Sequence, residues 1–148
     1  MKIYRRLLPL GLFLMFWVVA TQGAQASQRC SLCGMDVDES ETAYYVKMEK
    51  GRMYPLCSLQ CVYMLLLNAK EKAVSIRTED YSTSRLMDAP TAHFLYESRL
   101  IPKGSMMPYL LAFSSRDQAI EFQKKYGGRL LDFDSAMAIV KQEMTKPK

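Results

Sequence analysis

The chain has 148 residues, a formal net charge of +5, four cysteines and a single histidine. That length suits one domain with its own core. One histidine, with no H-E-x-x-H, no G-x-S-x-G and no phosphate-binding loop, excludes the common metallohydrolase, serine-hydrolase and nucleotide-dependent chemistries.

Lys2, Arg5 and Arg6 form a positive N-terminal region without an acidic residue. Leu7 to Ala20 follows as an apolar run of 14 residues, broken only by Pro9 and Gly11. A spanning helix needs about 20 apolar residues, so this run reads as the apolar segment of a signal peptide. Ala24-Gln25-Ala26 supplies the small residues of a cleavage site. Residues 1–26 are therefore expected to be a signal peptide and 27–148 the mature domain, beginning at Ser27. Arg29 precedes Cys30, where a lipoprotein needs small residues, so lipidation is not expected and the product is released into an oxidising compartment, the periplasm. The leader takes three positive charges with it, and the net charge falls from +5 to about +2. No basic run remains, which argues against a nucleic-acid partner.

The mature part opens with Cys30-Ser31-Leu32-Cys33 and Gly34-Met35, a turn. Thr42 to Met48 is rich in Tyr and Val and reads as a strand. Lys50-Gly51 turns the chain, and Met53 to Leu56 returns as a second strand, short or at an edge because of Pro55. Ser58 is a plausible N-cap for a helix from about Leu59 to Lys70. Ala73 to Arg77 is a further strand, and Thr78 to Ser84 reads as a polar loop. The order then repeats. His93 to Tyr96 is extended, Ile101 to Met107 is a loop, and Tyr109 to Phe113 is a strand. Ser114 or Ser115 caps a helix through Tyr126, with Ala119, Phe122 and Tyr126 on one face. Gly127-Gly128 ends that helix. Arg129 to Phe133 is a strand, and Asp134 caps a last helix with Met137, Val140 and Met144 in phase. These elements predict a small single α+β domain built from pseudo-duplicated β-β-α-β units.

The cysteines carry the chemistry. Cys30 and Cys33 form a C-x2-C pair, Cys57 and Cys61 a C-x3-C pair, with 23 residues between the pairs. Two disulfides are one reading of four cysteines in an exported chain. The spacing favours another: two close pairs brought together make a four-thiolate cage of the kind that Zn²⁺ or Cu⁺ prefers. With Ser58 starting a helix, Cys57 and Cys61 lie at its positive end, which favours thiolate over thiol. Met35, just past the turn, and Met106-Met107, in a Gly-Ser loop, add thioethers, which suit Cu⁺ better than Zn²⁺. The candidate ligands are Cys30, Cys33, Met35, Cys57, Cys61, Met106 and Met107. Met64 shares the cysteine face of the helix but reads as core packing, and His93 as a structural histidine. A thiol oxidoreductase is the one enzymatic option, and Gly34, Asp36 and Asp38 after Cys33 give it the wrong context.

Taken in order, Cys30-Ser-Leu-Cys33-Gly34-Met35, Leu56-Cys57-Ser58-Leu59-Gln60-Cys61, Ser105-Met106-Met107-Pro108-Tyr109 and Phe113-Ser114-Ser115 before a Gly-Gly-ended helix resemble the NosL family over most of residues 30 to 134. Those are accessory proteins associated with copper delivery to nitrous-oxide reductase. The first half also resembles the cysteine knuckles of TRASH-type metal domains. The resemblance implies a non-enzymatic, exported metal-binding protein. It would be a copper(I) chaperone or accessory factor that passes metal by ligand exchange to a client metalloenzyme or a membrane metal transporter, with no small-molecule substrate. The alternative is a structural zinc or disulfide four-cysteine interaction domain.

Overall fold

Strand β1 (Tyr44–Met48) buries Tyr44, Val46 and Met48 and turns Tyr45 and Lys47 away, the period-2 pattern of a half-covered sheet. It returns through Lys50-Gly51 into β2 (Met53–Leu56), pairing Tyr44 with Leu56 and Lys47 with Met53. Gly51 has φ 84°, a left-handed conformation that glycine adopts without a Cβ clash. Pro55 lies on the outer strand of its sheet, where its missing N–H costs no ladder bond. These observations come from a computed structural model that describes residues 27–146. The expected signal peptide, residues 1–26, lies outside the described residues.

Helix α1 (Leu59–Asn68) starts where Ser58 accepts a hydrogen bond from the Cys61 N–H at 3.4 Å. It buries Leu59, Cys61, Val62 and Leu65. The chain comes back as β3 (Ala73–Glu79), antiparallel to β1 on the side away from β2. Strand β4 (Leu86–Asp88) adds to the outer side of β3, and one 3₁₀ turn, Ala89–Thr91, leads out of the sheet.

The second unit repeats the plan with β5 (His93–Tyr96), β6 (Leu110–Phe113), α2 (Arg116–Tyr126) and β7 (Arg129–Leu131). Its sheet order is β6-β5-β7, and the first unit contains β2-β1-β3. Each unit sets its first strand between its second and third, antiparallel to both. The duplicated β-β-α-β plan expected from the sequence is present. Helix α3 (Phe133–Thr145) spans the two units. It packs on α1, β5 and β7, buries Ala136 and Val140, and sets Phe133 against Phe94 with ring centroids 6.1 Å apart.

Asp80 also joins the units. It follows β3 and is almost fully buried. Its carboxylate accepts from the Ser82 and Thr83 N–H groups at 2.8 and 3.0 Å, and from the Ser114 N–H at 2.7 Å across the interface. The hydroxyls of Ser82 and Ser114 donate to it as well. Burial disfavours the charge, but these donors outweigh it and hold the carboxyl well below the usual carboxylate range. Beside it, Tyr81, Phe113 and Phe122 pack edge-on and tilted over Leu95, Leu111 and Ala119.

Two local expectations are corrected and one strand is added. Thr78 and Glu79 extend β3 instead of opening a loop, because Thr78 is buried and its hydroxyl donates to the Ala43 carbonyl at 3.0 Å. Strand β4 was not expected at all. Asp132, not Asp134, caps α3, accepting from the Ser135 N–H at 2.8 Å, because β7 stops at Leu131. Of the two serines offered for α2, Ser115 is the cap, and Ser114 turns to Asp80.

Candidate metal centre

The C-x2-C segment is a backbone-tied knuckle. The Cys30 N–H donates to the Met35 carbonyl at 2.7 Å, and the Gly34 N–H to the Cys30 carbonyl at 3.0 Å. Gly34 takes φ 76° to close the turn. The Ser31 N–H then donates to the Pro55 carbonyl at 2.9 Å, which docks the knuckle on the outer strand β2. The second pair sits where β2 runs into α1. There the Cys57 carbonyl accepts from two buried hydroxyls, Ser40 at 3.0 Å and Thr42 at 2.9 Å. Ser40 and Thr42 play this part without any signal in the sequence beyond being polar residues at the edge of a strand.

The two pairs converge. All four sulfurs, Cys30, Cys33, Cys57 and Cys61, lie within 4.8 Å of one another. Cys33 Sγ is 3.3 Å from Cys57 Sγ and 3.9 Å from Cys61 Sγ, and Cys57 and Cys61 are 3.8 Å apart. No sulfur is in a disulfide. Four ligands at about 2.3 Å from a tetrahedral ion stand about 3.8 Å apart, so the cluster has the size of a thiolate cage. Cys30, Cys57 and Cys61 are buried, while Cys33 is exposed.

Without an ion the cluster is protonically unequal. Thiol donation from Cys61, opposed by burial and helped by Cys33, Cys30 and Ser58, lowers Cys57 to about 5. Cys61 is raised, first because it donates to Cys57 and then by burial. Desolvation against its neighbours pushes Cys33 up to about 11, with the Met35 N–H acting in the other direction. Cys57 is thus the sulfur most easily held as thiolate, and binding of a soft ion releases protons from the cluster.

The methionines separate. Met35 places its N–H on Cys33 and packs its side chain, half-buried, on the core that includes Cys30, Cys57 and Cys61. Met106 packs on that same core. Its loop is clamped on the segment that positions Cys57. The Glu41 N–H donates to the Lys103 carbonyl at 3.1 Å and the Lys103 N–H to the Glu41 carboxylate at 2.9 Å. Gly104 has φ +60° and lies so close that a Cβ there would stand 2.8 Å from Ser40 Cα. Met107 is 70% exposed and lines a cleft with Gln60, Tyr96 and Tyr109 that contains none of the cysteines. Met64, expected as core packing, is instead exposed on α1, because its position on the helix faces solvent. His93 lies on β5 opposite Phe113, and the sulfur cluster includes no histidine among the described residues.

Four converging cysteine sulfurs at the junction of a knuckle and a helix start, on a duplicated β-β-α-β frame, define a thiol-cluster domain. The NosL family model matches residues 22–141, and the chain belongs to that family. Membership agrees with the expectation of a protein that is not an enzyme. Among solved structures, the fold is similar to the crystal structure of the copper chaperone NosL from Shewanella denitrificans. The TM-score is 0.62 at 23% identity, over 78% of this chain and 93% of that one. The chain is also 23% identical over 122 residues to the HTH-type transcriptional repressor CutR of Bacillus subtilis (strain 168). That match takes in 82% of this chain but spans only 63% of the repressor's length.

Proposed function

We propose that this protein is an exported copper(I) carrier. It holds the ion on Cys30, Cys33, Cys57 and Cys61 with thioether help from Met35 and the Met106-Met107 loop, and passes it to a client metalloenzyme or a membrane metal transporter. The observation that carries the reading is the convergence of four sulfurs with one of them, Cys33, open to solvent. Three buried thiolates retain a soft ion, and an exposed fourth is the ligand that an acceptor's donor can replace first. Likeness to a copper chaperone supports the choice of ion. Export rests on the charge and apolar pattern of residues 1–26, and removal of that leader leaves Ser27 as the first residue.

The test is metal analysis of protein purified anaerobically from its own compartment, followed by competition with bicinchoninate for Cu⁺. One copper per chain is expected, with single serine variants at Cys30, Cys33, Cys57 and Cys61 each weakening retention. Stoichiometric zinc with no measurable hold on Cu⁺ establishes the structural zinc reading instead, and a metal-free protein with two disulfides establishes the disulfide one.

A further inference from the structure

A groove of about 570 Å³ runs beside the cage and takes no part in it. Its wall begins at Leu32, the residue between Cys30 and Cys33, and continues over Tyr54, Met64, Leu65 and Ala69. Leu32 and Met64 are exposed, at 44% and 38%, while Met48 and Leu65 are the buried members of the lining. Lys50, Arg52 and Lys70 rim it. None of the three cations takes part in an ion pair among the described residues. Glu71 also lines the groove, and its carboxylate accepts from the Lys50 backbone N–H at 3.1 Å. Arg52 is held in place, donating to the Tyr54 hydroxyl at 3.1 Å with its guanidinium over that ring. An apolar slot with an excess of positive charge on its lip, three cations to one carboxylate, is complementary to an apolar side chain flanked by carboxylates.

We infer that this groove docks the protein that accepts the metal, through an apolar segment of that partner bordered by acidic residues. The inference rests on the copper-carrier reading and adds where the acceptor sits. The groove shares its wall with the knuckle, so a partner seated on Leu32 lies one residue from Cys33, the one exposed sulfur. Docking there brings the partner's donor to the ligand that exchanges first. The concave groove admits a side chain, which a flat lipid surface does not offer. The contact is small, so it belongs to the weak, transient class of interfaces, as a carrier that must leave its acceptor requires.

The probe is a heptapeptide with Met-Leu-Met between two pairs of aspartates, titrated into ¹⁵N-labelled protein, with the lysine-flanked peptide as control. Amide shifts are expected at Leu32, Arg52, Met64 and Ala69 for the acidic peptide only, weakening as salt is added. Arg52→Glu/Lys70→Glu should cost at least tenfold in affinity, while Lys124→Glu/Lys125→Glu on α2 leaves it unchanged. Equal binding of both peptides, or shifts gathered away from the groove, overturns the inference. So does Arg52-dependent uptake by phosphatidylglycerol-containing vesicles in the absence of peptide binding. Cu⁺ competition is run on the same samples. Intact copper binding without docking removes this inference alone, and docking without copper binding supports the groove while removing the copper reading beneath it.

Discussion

Cys33 and Cys57 bring their sulfurs to 3.3 Å from each other across the 23 residues that separate them in sequence. Among Cys33, Cys57 and Cys61 the shortest sulfur contact therefore crosses between the two cysteine motifs, shorter than the 3.8 Å within the Cys57–Cys61 pair. Cys33 is also the exposed member, and it faces Cys57, the sulfur most easily held as thiolate, so oxidation should join these two. Metal-free protein treated with oxidised glutathione should form a Cys33–Cys57 disulfide, the two thiols giving up two protons and two electrons to yield two reduced glutathiones. Peptide mapping by mass spectrometry reads the product. A dominant Cys30–Cys33 or Cys57–Cys61 bond contradicts the arrangement described here, and bound Cu⁺ should suppress the reaction.

The Cys57 carbonyl depends on two hydroxyls, those of Ser40 and Thr42. Ser40→Ala/Thr42→Val removes both donors and leaves a buried acceptor without a partner, at a cost of about 1–3 kcal/mol. The midpoint of urea unfolding should fall with an unchanged m-value, and Cu⁺ should be held more loosely because the start of α1 is less fixed. An unaltered midpoint would show that water or another donor replaces them.

Asp80 makes stability acid-sensitive. Its carboxyl is depressed in the folded state, so the stability it contributes is fully present above the unfolded value near 4 and is lost as pH falls through the lower folded value. Asp80→Asn should destabilise the protein by about 2 kcal/mol or more at neutral pH and flatten the fall in stability below pH 4. Thermal unfolding across pH 2–7 measures both. If the variant keeps the acid slope of the wild type, another carboxylate is responsible.

The methionines should not be equivalent. Met35→Leu and Met106→Leu alter thioethers packed on the sulfur-bearing core, whereas Met107→Leu alters one that faces solvent. Leucine keeps the volume and removes the sulfur. Cu⁺ affinity in bicinchoninate competition should drop for the first two and change little for the third. A larger loss at Met107 than at Met106 would mean that the loop turns over when copper binds.

Much of this arrangement was legible because it is local. Lys50-Gly51 announced its hairpin, Ser58 its helix, and the order of elements its own repetition. The four cysteines were legible as a cage because two short spacings point at one another more readily than at distant partners. What escaped depends on tertiary contact. Thr78 reads as a loop residue until Ala43 offers it a carbonyl. Asp132 and Asp134 flank Phe133 symmetrically, and only the end of β7 decides between them. Asp80 did carry a local signature, an aspartate followed by Ser82 and Thr83 in the manner of an Asx turn, but nothing local announced that Ser114 would close on it.

The repeated plan carries one more consequence. In the first unit the strand-to-helix bend reads Leu56-Cys57-Ser58, and in the second it reads Phe113-Ser114-Ser115. In each, the last residue of the three caps its helix. Cys57 and Ser114 therefore occupy corresponding places and differ by a single atom, sulfur for oxygen. The hard oxygen donates to the Asp80 carboxylate and pins one unit to the other. The soft, polarisable sulfur gathers three more sulfurs. The bend is a socket whose partner is chosen by the chalcogen placed in it, so one half of the duplicated frame could take up metal chemistry while its twin, on the same backbone, stayed a fastener.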